Sequence, residues 1–159
     1  MARMARLALI ADELNQTAIV GALVARVKPY LQTWLLHTSA NQLVYDASWG
    51  GLVSCGCNYD DCGGKCKPHC DNAGPPNECP SLVTPGQDFG NAFYNDHHFH
   101  YGYHVYTAAV IAHFDPTWAV EYGERVLLML RDVMNPSDGD AYFPVFRYKD
   151  WYSGAWPIL

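Results

Sequence analysis

Residues 95–103 read NDHHFHYGY, setting Asp96 among three histidines, His97, His98 and His100, and three aromatics, Phe99, Tyr101 and Tyr103. A surface helix does not need that composition, and an apolar core cannot take so many polar groups without partners. The run therefore reads as a site. Downstream, Tyr103, Tyr106, Val110 and Ile111 recur at helical spacing, which predicts a helix returning near Asn91 and carrying the run. On such a helix Asp96, His100 and His104 share one face at four-residue steps. Two histidines four apart beside a carboxylate form a plausible metal half-site, but no spacing specifies a further ligand.

Working outward, the predicted elements are helices. Over residues 3–36, Leu7, Ile10, Ala11 and Leu14 mark one apolar stripe, and Val20, Leu23, Val24, Val27 and Leu31 another. Core packing accounts for both stripes. Asn15 to Thr17 supply a break and a cap between two helices, and Pro29 is expected to kink or restart the second. Asp115-Pro116 places a turn with proline at a helix start. Val120 to Val133 form an amphipathic helix ended by Asn135-Pro136. Residues 37–90 are rich in Gly, Pro, Asn and Asp, show little periodicity and read as a long loop. The Gly50-Gly51 pair within it suits a tight backbone turn.

All six cysteines, Cys55, Cys57, Cys62, Cys66, Cys70 and Cys79, crowd into this loop. An even count in a Gly/Pro-rich stretch suits three disulfides of unassigned pairing. Zinc more often takes paired CxxC spacing, absent here, and His69 beside Cys70 is the residue that keeps that option open. Six cysteines point to an oxidising compartment. The apolar run after Arg6, however, stops at Asp12 and Glu13 after about five residues, short of the roughly 7–15 of an export signal. A piece of a longer secreted protein reconciles the two. No segment approaches the ~18–20 apolar residues of a membrane span.

Half the residues are hydrophobic and 16% charged, so the chain folds rather than staying disordered. A net charge of −6 lacks the basic face that phosphate backbones require and leaves nucleic acid out. It permits a neutral polysaccharide, and eleven tyrosines and five tryptophans supply flat amphipathic rings suited to sugars. Glycoside hydrolysis needs one carboxylic acid kept protonated and a second carboxylate across the bond. Aromatic burial around an aspartate favours its protonated form. Trp49, Tyr103, Trp151 and Tyr152 could face sugar rings, with Asn95, His98 and His100 donating to hydroxyls. No cofactor is called for.

Five stretches carry a family resemblance: ARLALIADEL (5–14), LVYDASWGGLVS (43–54), DFGNAFYNDHHFHYGYH (88–104), LRDVMNPS (130–137) and FPVFRYKDWYSG (143–154). They spread from end to end apart from the cysteine-rich insert at 55–79, and the chain resembles the C-terminal part of glycoside hydrolase family 81, the endo-β-1,3-glucanases. The resemblance implies an all-α fold in which residues 1–159 form a single partial domain, an incomplete (α/α)6 toroid with a long Cys-rich loop. It implies inverting cleavage of internal β-1,3-glucosidic bonds, with Asp96 as general acid and β-1,3-glucan as partner. Asn95, His98, His100, Tyr103, Asp150 and Trp151 are then the expected substrate-positioning residues, and Asp46 and Trp49 line the cleft.

The resemblance also implies a general base, a glutamate in a later motif of the NQESSSE type, and these 159 residues contain no such motif. The chain also departs at its end, where Trp156-Pro157-Ile158-Leu159 replaces the family's continuation. Inversion needs a base carboxylate roughly 6.5–9.5 Å from the acid, so little hydrolysis is expected of the chain alone. Two alternatives stand beside that reading, a non-catalytic β-glucan-binding remnant and a truncated gene product. The parent is expected to be extracellular or in the cell wall.

Overall fold

A computed structural model describes residues 1–39, 41–56, 79–84 and 86–148. Four helices dominate it: α1 (Ala2–Glu13), α2 (Thr17–Leu35), α3 (His97–Phe114) and α4 (Pro116–Met134). The expected break lies between the first two, with Asn15 in a left-handed conformation at φ 56°. Gln16 occupies the cap position of α2 without a side-chain capping bond. Helix α2 runs unbroken through Pro29, so the proline neither ends nor restarts it. The junction between α3 and α4 follows the sequence closely. Asp115 caps α4, its carboxylate accepting from Trp118 N–H at 3.1 Å, and Pro116 occupies the first turn, where its missing N–H costs nothing. The Asp115 carboxylate also pairs with Lys28, tying this junction to α2.

The stripe expected on α1 is corrected. Ala5, Ala8 and Ala11 are its buried residues, whereas Leu7, Ile10 and Leu14 are 52%, 42% and 64% exposed. The alanines pack with Val20 and Val24 of α2 and Val110 of α3, because short side chains let helix backbones approach closely. A second cluster lies farther along α2. There Val27, Leu31 and Leu35 meet Tyr101, Ala108 and Ile111 of α3 and Trp118, Tyr122 and Met129 of α4. Full burial of a side chain such as Leu31 contributes about 1.5–3 kcal/mol.

The segment read as a featureless loop contains an antiparallel hairpin. Strand β1 (Leu43–Asp46) pairs with β2 (Gly51–Ser54) in the register Leu43↔Ser54, Val44↔Val53, Tyr45↔Leu52 and Asp46↔Gly51. With Gly50 at φ +65° and its N–H bonded to Asp46 O at 2.9 Å, the turn closes. Gly51 is fixed by crowding: a Cβ there would lie 2.5 Å from both Asp132 Oδ1 and a ring carbon of Tyr94. Strands this short escape pattern reading because their packing, not their alternation, holds them. Cys55 and Cys79 are disulfide-bonded, which excludes them as zinc ligands. Cys57, Cys62, Cys66, Cys70 and His69 lie outside the described residues. No helix among the described residues is long and apolar enough to cross a membrane.

Candidate active site

The helix carrying the NDHHFHYGY run begins at His97 rather than near Asn91. Residues Gln87–Phe93 form short, tight turns across a kink instead, with non-helical, left-handed backbone at Asp88, Phe89 and Gly90. Tyr94 and Asp96 are left-handed as well, at φ 62° and 50°. Asp96 therefore precedes α3 and does not sit on its face. The stripe of Asp96, His100 and His104 at successive turns is thereby corrected: only the two histidines are on the helix. His104 Nδ1 lies 3.0 Å from His100 O within that helix, and burial lowers the His104 imidazole below its ordinary 6.5. Among the described residues, no three His, Cys, Asp or Glu side chains group where they could hold a metal ion.

Asp96 is half-buried, and its backbone carbonyl accepts from Phe99 N–H and His100 N–H while its carboxylate makes no capping bond. That matters chemically, because an aspartate spent on capping would have its oxygens occupied by the helix. On the residues that flank it in sequence, rings form a continuous edge. Phe89 stacks on His100 at 6.1 Å, Phe99 meets His100 edge-on at 5.6 Å, and Tyr103 meets Phe99 at 4.9 Å. A cavity of about 500 Å³ opens past His100 and Tyr103, walled by Trp34, Leu43, Phe89 and His104.

Other expected residues divide by role. Asn95 is exposed but donates to Phe89 O at 2.9 Å, stapling the left-handed segment. His98 is half-buried against the Tyr148 ring at 5.5 Å. Trp49 projects from the hairpin turn, 71% exposed, and its ring lies 6.4 Å from Tyr94. Asp46 Oδ2 accepts from the Tyr94 hydroxyl at 2.9 Å, so hairpin and segment meet through that contact. Burial, aided by Asp46, pushes the Tyr94 hydroxyl well above its ordinary range and keeps it a donor. Asp150, Trp151 and Tyr152 lie outside the described residues.

Beneath Asp96 lies a buried polar network that sequence reasoning missed. His97 and Asp132 are both fully buried, with Nδ1 2.6 Å from Oδ2. His97 Nε2 lies 2.7 Å from Asn91 O. Leu52 N–H donates to Asp132 Oδ1 at 3.0 Å, and Ser54 N–H to Asn91 Oδ1 at 2.6 Å. The Tyr101 hydroxyl donates to Leu52 O at 2.7 Å, and burial, reinforced by Asp132, raises it well above its ordinary 10. Arg147 caps the assembly, stacking on Tyr94 at 4.2 Å and donating to the Trp49 and Gly50 carbonyls. One signal was legible: Asp132 falls three positions after the buried Met129 on the core face of α4, where a carboxylate must be paired.

The model of the glycosyl hydrolase family 81 C-terminal domain matches residues 77–156, half of the chain. The chain belongs to glycosyl hydrolase family 81. It is similar to the primary septum glucan endo-1,3-beta-D-glucosidase of Schizosaccharomyces pombe, 44% identical over 115 residues that cover 70% of this chain and 9% of that protein. The glucan endo-1,3-beta-D-glucosidase 2 of Saccharomyces cerevisiae is 30% identical over 149 residues, 89% of this chain and 16% of that one. Among solved structures, a family 81 glycoside hydrolase from Clostridium thermocellum superposes with a TM-score of 0.62 at 27% identity, over 94% of this chain and 18% of its own. The chain thus spans less than a fifth of each of these relatives. The expected all-α, partial family 81 helical toroid is what the four helices form.

Proposed function

We propose that this chain is part of the catalytic domain of an inverting endo-β-1,3-glucanase, in which Asp96 is the general acid. The observation that carries the reading is the mounting of Asp96. Its carboxylate is not used by the helix it precedes, its backbone is held in a left-handed conformation, and the residues flanking it in sequence carry a contiguous edge of rings, Phe89, His100, Phe99 and Tyr103. In hydrolysis, Asp96 would protonate the glycosidic oxygen as the bond breaks, while a carboxylate on the opposite face activates water. His100, Tyr103 and Trp49 would offer ring faces and hydrogen bonds to glucosyl units, with His98, Asp150 and Trp151 completing the cleft. Asn95 would act through the loop rather than on the sugar. The partner is β-1,3-glucan, and the parent works in the cell wall or outside the cell.

No NQESSSE-type motif occurs in the 159 residues, so the base belongs to other parts of such an enzyme. The purified chain should therefore be retarded in a laminarin-containing native gel yet release little reducing sugar. Absence of retardation would sink the cleft reading. Substantial release that disappears on Asp96→Asn would support the acid and overturn the need for an outside base.

A further inference from the structure

Asp88, Phe89, Gly90, Tyr94 and Asp96 all have positive φ, between 50° and 77°. Such backbone is disfavoured wherever a Cβ is present, and it persists only where the surroundings over-determine it. The residue next to Asp96 supplies that constraint. His97 reaches back to Asn91 O through Nε2 and across to α4 through Nδ1 and Asp132. Asp132 and Asn91 are in turn bonded to the backbone of β2 at Leu52 and Ser54. One imidazole thus ties the left-handed segment to a helix and, through two acceptors, to a strand.

Both ring nitrogens face oxygens that carry no covalent hydrogen of their own unless the carboxyl is protonated. For both contacts to be hydrogen bonds, the pair must hold two protons between them, one on the Nε2 side and one on the Nδ1–Oδ2 line. The groups facing the ring are Asp132, Arg147 with its Nε 3.8 Å from Asp132 Oδ1, and the rings of Tyr94, Tyr101 and Tyr148 at 5.0, 4.8 and 5.8 Å.

We propose that the buried His97–Asp132 bridge is the positioning device of this site, fixing the left-handed segment that carries Asp96. The importance of the segment rests on the reading of Asp96 as the acid; the bridge itself is testable without sugar. In the 15N-labelled 159-residue chain, one histidine should show a ring N–H and a second proton, shared between Nδ1 and the Asp132 carboxyl, both protected from solvent exchange. Asp132→Asn can keep Oδ1 on Leu52 N–H and turn its amide N–H toward a neutral His97 ring. That variant should show one protected ring proton, unchanged amide shifts over 88–96, and laminarin affinity within about twofold of the parent chain. Asp132→Leu cannot bridge. It should disperse the 88–96 resonances and weaken laminarin binding about tenfold, the scale of leaving one buried hydrogen-bonding group without its partner.

Unmoved 88–96 shifts in Asp132→Leu would overturn the proposal, as would equal damage from the Asn and Leu variants. Should the Leu variant not fold, the protected protons of the parent chain decide instead: a histidine lacking either the protected ring N–H or the protected proton shared with Asp132 defeats it. Lys28→Gln, which breaks a pair at the α2–α4 junction, should leave laminarin affinity unchanged. A parent chain that ignores laminarin would defeat the acid reading while leaving the bridge to its own spectra.

Discussion

The α1–α2 hairpin and the segment from Gln87 to His97 both pack toward α3, and they are held by opposite means. Small apolar side chains, Ala5, Ala8 and Ala11 against Val20 and Val24, join the hairpin through non-directional contact. The segment is held by directional bonds among fully buried polar groups, His97, Asp132 and Asn91. The hairpin has ordinary helical backbone on both sides of one left-handed residue, Asn15, whereas the segment has left-handed backbone at five positions. Apolar packing tolerates substitution of similar volume. A buried polar network fails when one member is removed, because the remaining partner keeps its desolvation cost. A precise site is built on the second kind of support, and general stability on the first.

The largest break in that contrast should come from Asp132→Leu. It strands a buried imidazole and is expected to lower unfolding free energy by about 3–5 kcal/mol in urea titrations. Leu31→Ala, at a fully buried position in the apolar cluster, should lose about 3 kcal/mol. The two would differ in kind: the Leu31 variant should retain the amide shifts of residues 88–96, and a disturbed segment there would erase the distinction between the regions. Tyr101→Phe removes the hydroxyl shared by Leu52 O and Asn91 Oδ1 and should cost about 1–2 kcal/mol.

Two smaller effects sharpen the comparison. Asp96→Gly relieves a left-handed aspartate and should stabilise the chain by about 0.5–1 kcal/mol while abolishing any acid function. Thermal denaturation beside laminarin assays would show whether the two move in opposite directions. Burial lowers the His104 imidazole, so between its folded value and 6.5 the unfolded chain binds a proton that the folded chain does not. Stability from this group is therefore whole above pH 6.5 and is lost as the pH falls through the lowered value. The urea midpoint should drop from about pH 7 to about pH 5.5, the range in which an ordinary imidazole gains its proton. The drop should shrink in His104→Phe.

Much of the frame was legible because it depends on local chemistry. Asn15, Asp115-Pro116 and Asn135-Pro136 mark helix ends by backbone preference and capping, which act within a few residues. Leu7, Ile10 and Leu14 misled, since periodicity identifies an apolar stripe but not the face a neighbouring helix will choose. The hairpin at 43–54 was hidden because its stability comes from Asp132, Tyr94 and Arg147 at distant positions. Asp96 stood out by its company, while His97, its neighbour, looked like one more histidine of the run.

By itself the sequence determined the helical class, the helix-ending turns and the family resemblance, and it singled out NDHHFHYGY as the candidate site. Tertiary structure alone decided that Asp96 lies before the helix rather than on it, that α1 buries alanines, and that His97 is the anchor. The physical reason is range. Capping, propensity and periodicity are properties of neighbouring residues, whereas a left-handed backbone and a buried hydrogen-bond partner are fixed by groups brought together from 35 positions away.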